Sequence, residues 1–227
     1  METTLTSNRL GLDVAYRSTE KRAPSEKAIL VPTGAGETSG PIFGHSHIGP
    51  NDSDLTCQHG DEPQGERIII RGRVTDENNR PVPGSLVEIW QTNAAGRYIH
   101  TVDTHDAPLD PNFSGGGRAL TNGEGIYQFT TIKPGAYPWG NHTNAWRPAH
   151  IHFSLFGHSF VSRIVTQMYF PGDPLLAFDP ILQAVSGDES RRNLVAKWDP
   201  NVTKSGWALG YRFDIVLSGS NRTPAEE

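Results

Sequence analysis

A single cysteine, Cys57, stands in this chain of 227 residues, so no internal disulfide can form, which agrees with a reducing, cytoplasmic setting. No run of about 18 apolar residues is available to cross a bilayer, and Met1 to Tyr16 lacks an apolar stretch behind a basic start. Neither a membrane span nor an export signal is therefore expected. Basic residues are scattered and the net charge is −5, which argues against nucleic acid or an anionic membrane as a partner. Regular periodicity is missing from the first 65 residues, where PTGAGETSGPIFGHSHIGPNDSD is typical. Residues 1–65 read as an extended irregular arm, which gains order chiefly by lying on a partner chain.

What is present points to β structure. Hydrophobic residues make up 35% of the chain, enough for a real core, while 24 glycines and 17 prolines favour short strands over long helices. Strands are expected at Arg67–Val74, Leu86–Gln91, Gly125–Ile132, His150–Phe156, Arg163–Phe170 and Leu209–Leu217, each rich in β-branched or aromatic residues and bounded by turn formers. The turn at Asp76–Arg80 leads from the first towards the second. One helix is expected, Glu189–Lys197, with Asp188 as its N-cap. Residues 66–227 thus read as one mainly β domain, a β-sandwich with long loops and one or two short helices.

Chemistry gathers in YPWGNHTNAWRPAHIHFSLFG, Tyr137 to Gly157. His150 and His152 lie two apart on an expected strand, so alternation sends both imidazoles to one face while Ile151, Phe153 and Leu155 turn to the core. Metal ligation is one reading of that pair; two polar residues on a half-exposed face is the other. His45 and His47 share the spacing but sit in a glycine-rich loop, and they read as structural or solvent-facing. Cys57 reads as an ordinary thiol. Tyr98 and Tyr137 occupy loops that could overhang the histidine pair, although core packing is the usual role of a tyrosine. A strongly charged cation can hold a phenol as an anionic oxygen ligand, and such donors favour ferric iron. Two phenolates and a hydroxide would neutralise Fe(III), leaving two neutral imidazoles to complete five-coordination.

Longer stretches carry a resemblance: ETSGPIFGH, GERIIIRGRV, RPVPGSLVEIWQTNAAGRY, APLDPNF, TIKPGAYPWGNHTNAWRPAHIHFSLFG, TQMYFPGDPL and YRFDIVLSG. In these segments, in this order and over almost the whole chain, the sequence resembles the intradiol ring-cleaving dioxygenases, non-haem ferric enzymes that open catechol-type rings between the two hydroxyl-bearing carbons. The resemblance implies a mixed β-sandwich core and one Fe(III) per chain, with Tyr98 and His150 as equatorial ligands and Tyr137 and His152 as axial ones. It further implies that Arg147 and Gln167 act beside the metal, that Tyr137 takes part in the chemistry, and that Tyr16, Trp139 and Ile181 border the substrate. The implied reaction is cleavage of protocatechuate by O₂ to 3-carboxy-cis,cis-muconate, with a homologous alpha subunit completing a hetero-oligomer. A buried Arg147 would need an anionic partner.

The pattern departs at Gly140, where a basic residue is expected after Tyr137–Trp139, and at Ile99. Both bear on substrate preference. Two alternatives remain from the sequence. One is a single-chain catechol or hydroxyquinol dioxygenase, which would carry a helical N-terminal segment not found here. The other is a non-catalytic prealbumin-like sandwich, suggested by GRVTDENNRPVPGSLVEI.

Overall fold

The computed structural model describes residues 48–140, 145–156 and 163–225; Tyr16, His45 and His47 lie outside them. Two sheets form the body. In the first, β1 (Arg67–Thr75) runs between antiparallel β4 (Ile126–Ile132) and two parallel strands, β10 (Leu209–Arg212) and β11 (Ile215–Val216), with the short β9 (Lys197–Trp198) added on β10. The second is antiparallel throughout, in the order β3 (Gly116–Leu120), β2 (Leu86–Trp90), β7 (His150–Phe156), β8 (Arg163–Tyr169). A two-stranded ribbon, β5 (Tyr137–Pro138) with β6 (Trp146–Arg147), stands beside them. The fold is mainly β, as the composition implies, and the first sheet is mixed. The turn at Asp76–Arg80 carries the chain from one sheet to the other.

Between the sheets lies an aromatic core. Tyr127 and Phe129 from β4 meet Phe153 from β7, and Phe213 closes on Phe153 with ring centroids 5.2 Å apart. Ile68, Ile70, Val87, Ile89, Ile151 and Leu155 fill the space around them. Burying such side chains contributes about 1.5–3 kcal/mol each relative to exposure. The seam where β3 and β4 come close is filled by Asp52–Leu55: the amide of Arg118 donates to the Asp52 carbonyl, and Ser53 and Leu55 exchange backbone hydrogen bonds with Thr130. Leu55 is fully buried there.

Three expectations need correction. The expected strand Leu209–Leu217 is broken at Phe213–Asp214. The Phe213 carbonyl accepts from the Tyr127 hydroxyl at 2.5 Å, and the Asp214 carboxylate takes the amide of Arg73 at 3.0 Å, so the ladder is replaced there by side-chain bonds. The expected helix Glu189–Lys197 runs only from Asp188 to Asn193, with Gly187 rather than Asp188 at its N-cap. It stops because Tyr169 claims the following backbone: its amide donates to the Leu194 carbonyl and its carbonyl accepts from Ala196, both at 2.8 Å. Lys197 then enters β9. Expected nowhere were β3, whose two glycines mask it, and a helix at Pro180–Ala184. We number the two α-helices α1 (Pro180–Ala184) and α2 (Asp188–Asn193); a 3₁₀ turn, Pro174–Phe178, precedes them.

Gly72 marks the tightest approach in the first sheet. A Cβ added there would run into the Phe213 carbonyl oxygen and lie 2.6 Å from the Tyr127 hydroxyl. We expect Gly72→Ala to lose at least about 1–3 kcal/mol of unfolding free energy through overpacking. Urea denaturation measures this, and wild-type stability would show that the Phe213 peptide can turn aside freely.

Candidate active site and metal centre

β7 builds one wall. It is hydrogen-bonded to β2 on one side and β8 on the other, and every residue in it is buried. Ile151, Phe153 and Leu155 face the intersheet core. His150 and His152 therefore share the opposite face, with ring centroids 5.0 Å apart. That face is covered by loops rather than by water, unlike the half-exposed face that a bland reading of the pair requires. Trp90, directly across from His152 on β2, stacks on its ring at 4.8 Å with the planes 5° apart.

Two interlocked segments supply the tyrosines, Tyr98 from a loop as expected and Tyr137 from the short strand β5 instead of a loop. After β2, Asn93 folds the chain back: its carboxamide oxygen accepts from the amides of Ala95 and Arg97. Gly96 then passes in the left-handed region, φ 79°, against the Ala136 carbonyl, which leaves no room for a side chain. The Asn93 carbonyl accepts from Gly135, tying this loop to the segment that carries Tyr137. Tyr98 is fixed by its amide, which donates to the Asp103 carboxylate at 2.7 Å. The outcome is a continuous run of rings: Tyr98 to Tyr137 at 5.5 Å, Tyr137 to His150 at 5.4 Å, and His150 to His152.

Arg147, on β6 opposite Tyr137, lies under this run and is 2% exposed. Its Nη1 stands 3.1 Å from His150 Nε2 and 3.4 Å from the Tyr137 hydroxyl. Nη2 donates to Gln167 Oε1 at 2.6 Å, and Gln167 is registered against His152 on β8. The anionic partner that Arg147 requires is Asp179, fully buried, which accepts from Nε and Nη2 at 3.0 Å each. Tyr169 adds its hydroxyl, 2.8 Å from Asp179 Oδ2. Burial alone would lower the arginine pKa, but the Asp179 charge and hydrogen bonds outweigh it and raise it. Asp179, Tyr169 and Trp90 are the site residues that sequence reasoning missed. The signal for Asp179 was there in Asp179–Pro180, an N-cap followed by proline at the first helical position.

Trp139 is half-buried and lies over Arg147, with the guanidinium carbon 5.7 Å from its ring centroid. Ile181 sits partly exposed in the first turn of α1, two residues beyond Asp179. Gly140 borders a cavity of about 590 Å³ with Val102, Asp103, His105, Trp139 and Trp146, and Ile99 is 62% exposed.

The protonation states suit a metal. The pKa of His150 is held well below that of free imidazole by burial first and then by Arg147 and His152. Its Nδ1 lies 2.7 Å from the Pro148 carbonyl, which can only accept, so the proton sits there and Nε2 keeps its lone pair towards the cluster. Burial raises the Tyr137 pKa, against the pull of Arg147 and Tyr98. A cation of high charge is then what would ionise it in place. Among the described residues, no three His, Cys, Asp or Glu side chains come together as a metal site; the side chain beside His150 that adds an oxygen is the phenol of Tyr137. The donors present fit ferric iron, because Arg147 and Asp179 cancel each other and two phenolates with a hydroxide would cancel Fe(III).

Two imidazoles, two phenols and a charge-paired guanidinium side by side on this sandwich make the candidate active site of an enzyme. The family described as "Dioxygenase" matches residues 38–219. The chain is 57% identical to the protocatechuate 3,4-dioxygenase beta chain of Burkholderia cepacia, over 93% of this chain and 90% of that one. It is 30% identical to the protocatechuate 3,4-dioxygenase alpha chain of Pseudomonas putida, over 70% of this chain and 75% of that one. The 3-chlorocatechol 1,2-dioxygenase structure from Rhodococcus opacus shares the fold, with a TM-score of 0.58 at 23% identity over 75% of this chain and 66% of that one. The chain belongs to this dioxygenase family. The non-catalytic prealbumin-like reading is thereby set aside.

Proposed function

We propose that the chain is the iron-bearing beta-type subunit of an intradiol dioxygenase, which binds Fe(III) through Tyr98, Tyr137, His150 and His152 and cleaves protocatechuate with O₂ to 3-carboxy-cis,cis-muconate. The observation that carries this reading is the run of two phenols and two imidazoles above a buried, charge-paired arginine. The high identity to a beta chain over nearly its whole length supports the substrate. Ferric iron, when bound, supplies a Lewis acid that holds the substrate as a catecholate and makes its ring reactive towards O₂.

The chain's own groups have separable tasks. Tyr137, on a two-residue strand, is the base: ionised when iron is bound, its oxygen would take a proton from one substrate hydroxyl. His150 stays neutral and keeps Nε2 in place through its bond to Pro148. Arg147 Nη1 offers its protons where negative charge develops on the ring and its oxygens. Gln167 holds the guanidinium from the β8 side. Both atoms of O₂ end in the two new carboxylate groups.

A homologous alpha subunit completes the assembly in this reading. The similarity to both an alpha and a beta chain supports it, as do the exposed apolar side chains Ile99 and Val102 beside Tyr98, 62% and 77% exposed. Tyr16, in the arm, then borders the substrate carboxylate. Expressed without its partner, the chain should be poorly soluble, low in iron or nearly inactive, and co-expression should restore all three properties. A stable, iron-loaded and fully active homo-oligomer would favour the single-chain dioxygenases instead.

The direct test is iron content, colour and product identity. Co-purified with its partner, the protein should be red-brown from phenolate-to-iron charge transfer and should consume one O₂ per protocatechuate. Tyr137→Phe should keep most of its iron but turn over about 10²-fold or more slowly, since a positioned base is lost. A colourless enzyme that contains iron and is active would refute the phenolate ligands, and wild-type turnover in Tyr137→Phe would remove that residue from the proton transfer.

A further inference from the structure

The guanidinium of Arg147 presents two different edges. Nε and Nη2 meet Asp179, while Nη1 alone faces the ring run, at 3.1 Å from His150 Nε2 and 3.4 Å from the Tyr137 hydroxyl. An arginine side chain is long and rotatable, so the direction of Nη1 is set by whatever grips the opposite edge. Asp179 is placed to do this. It is 0% exposed, its backbone is extended at the N-cap of α1 with φ −73° and ψ 113°, and Pro180 restricts it further.

The carboxylate is itself held. Tyr169 has one hydroxyl proton, with Asp179 Oδ2 at 2.8 Å and Gln167 Oε1 at 3.0 Å as acceptors in reach. The nearer acceptor is ionised and takes it. The Tyr169 oxygen then accepts from Arg147 Nη2 at 3.1 Å, closing a ring of bonds among three side chains. A charge partner anywhere nearby would neutralise the arginine; this one also fixes its plane. Asp179 Oδ2 lies 3.4 Å from the Leu182 amide, so the same carboxylate starts the short helix that carries Ile181.

We infer that Asp179, braced by Tyr169, is a positioning residue for ring cleavage: it orients Arg147 so that Nη1 is the edge presented to the substrate. This rests on the ring-cleaving function proposed above. Substrate and iron are held by other groups, so the effect belongs in the turnover step.

The test uses the iron-loaded assembly with its partner subunit and protocatechuate, comparing Asp179→Asn, Asp179→Glu and Tyr169→Phe with wild type. Asp179→Asn should lower kcat per iron by about 10–100-fold, the usual range for groups that orient ligands from outside. KM, and anaerobic substrate binding followed through the visible band, should change by less than about threefold. Asp179→Glu keeps the charge but moves it by one methylene, and it should lose a similar share of kcat. Tyr169→Phe, which loses a single hydrogen bond, should lose about 3–10-fold. In an Arg147→Lys background, Asp179→Asn should add less than about threefold, because the two residues act as one. If Asp179→Asn does not fold, Asp179→Glu and Tyr169→Phe decide the matter. The inference is overturned if both of these keep wild-type kcat per iron, or if all losses are confined to iron content and melting temperature. Wild-type inactivity towards protocatechuate and other catechols would instead overturn the proposed function beneath it.

Discussion

Replacing Arg147 by alanine is expected to cost about 3–5 kcal/mol of folding stability, because it strands a carboxylate that is wholly buried. Asp179 accepts two of its hydrogen bonds from this one side chain, and among the described residues Tyr169 and the distant Leu182 amide would remain. Turnover per bound iron should fall by about 10²–10³-fold as well, the loss seen when a preorganised donor is removed from a site of developing negative charge. The two effects separate experimentally. Guanidinium unfolding of the metal-free protein reports the first, and single-turnover rates normalised to iron report the second. Arg147→Lys keeps the charge near Asp179 and should recover much of the stability, yet it lacks the fork that spans Asp179, Gln167 and His150 at once. Equal turnover per iron in Arg147→Lys and wild type would show that charge alone suffices.

Removing the imidazole of His152 is expected to abolish activity by abolishing the metal. In His152→Ala, iron affinity should drop by at least about 100-fold, the upper range for groups that merely support ligands. Trp90 would lose the ring stacked on it at 4.8 Å, so the vacated space is apolar on one side and cannot recruit a replacement donor from it. Trp139→Ala is the control: that indole lies over Arg147 but offers the metal nothing, so iron should remain. Metal analysis after dialysis distinguishes them. Wild-type iron content in His152→Ala would remove this histidine from the ligand set.

The parts of this structure that sequence could disclose are those fixed by local alternation. His-Ile-His-Phe-Ser-Leu-Phe spells a strand with one polar and one apolar face, and β7 begins and ends where that pattern does. The bounds of β1, β2, β4 and β8 also fall within a residue of expectation. Failures came where a distant group takes over the backbone. Nothing near Phe213–Asp214 in sequence announces that Arg73, 141 residues away, will bond to a side chain there instead of to the ladder. In the same way, Tyr169 draws residues 194–196 out of a helix that their own periodicity supports. β3 was hidden because its glycines answer to packing: a Cβ on Gly117 would strike Leu55 and the Asp52 carbonyl.

The active site divides along the same line. His150 and His152 could be named from their strand, Arg147 and Gln167 only from the family resemblance, and the structure gathers all four. That Arg147 needed an anion followed from its burial; which anion did not, since Asp179 is 32 residues distant and gave only a helix-cap signature.

The way the four rings are mounted also sorts them by how easily each mount opens. His150 and His152 belong to a strand hydrogen-bonded on both sides and buried along its full length. Amides in such a strand exchange with solvent only when the whole domain opens, an event with the free energy of global unfolding. Tyr98 follows a loop pinned by Asn93 and Asp103, and Tyr137 sits on a ribbon strand of two residues, short mounts that open locally at lower free energy than a central strand. In the proposed mechanism Tyr137 is the side chain that takes up a proton in each turnover, and it is the one on the shorter mount. The two histidines and Tyr137 thus differ in how firmly backbone hydrogen bonding holds them, a difference set by the fold before any ligand binds.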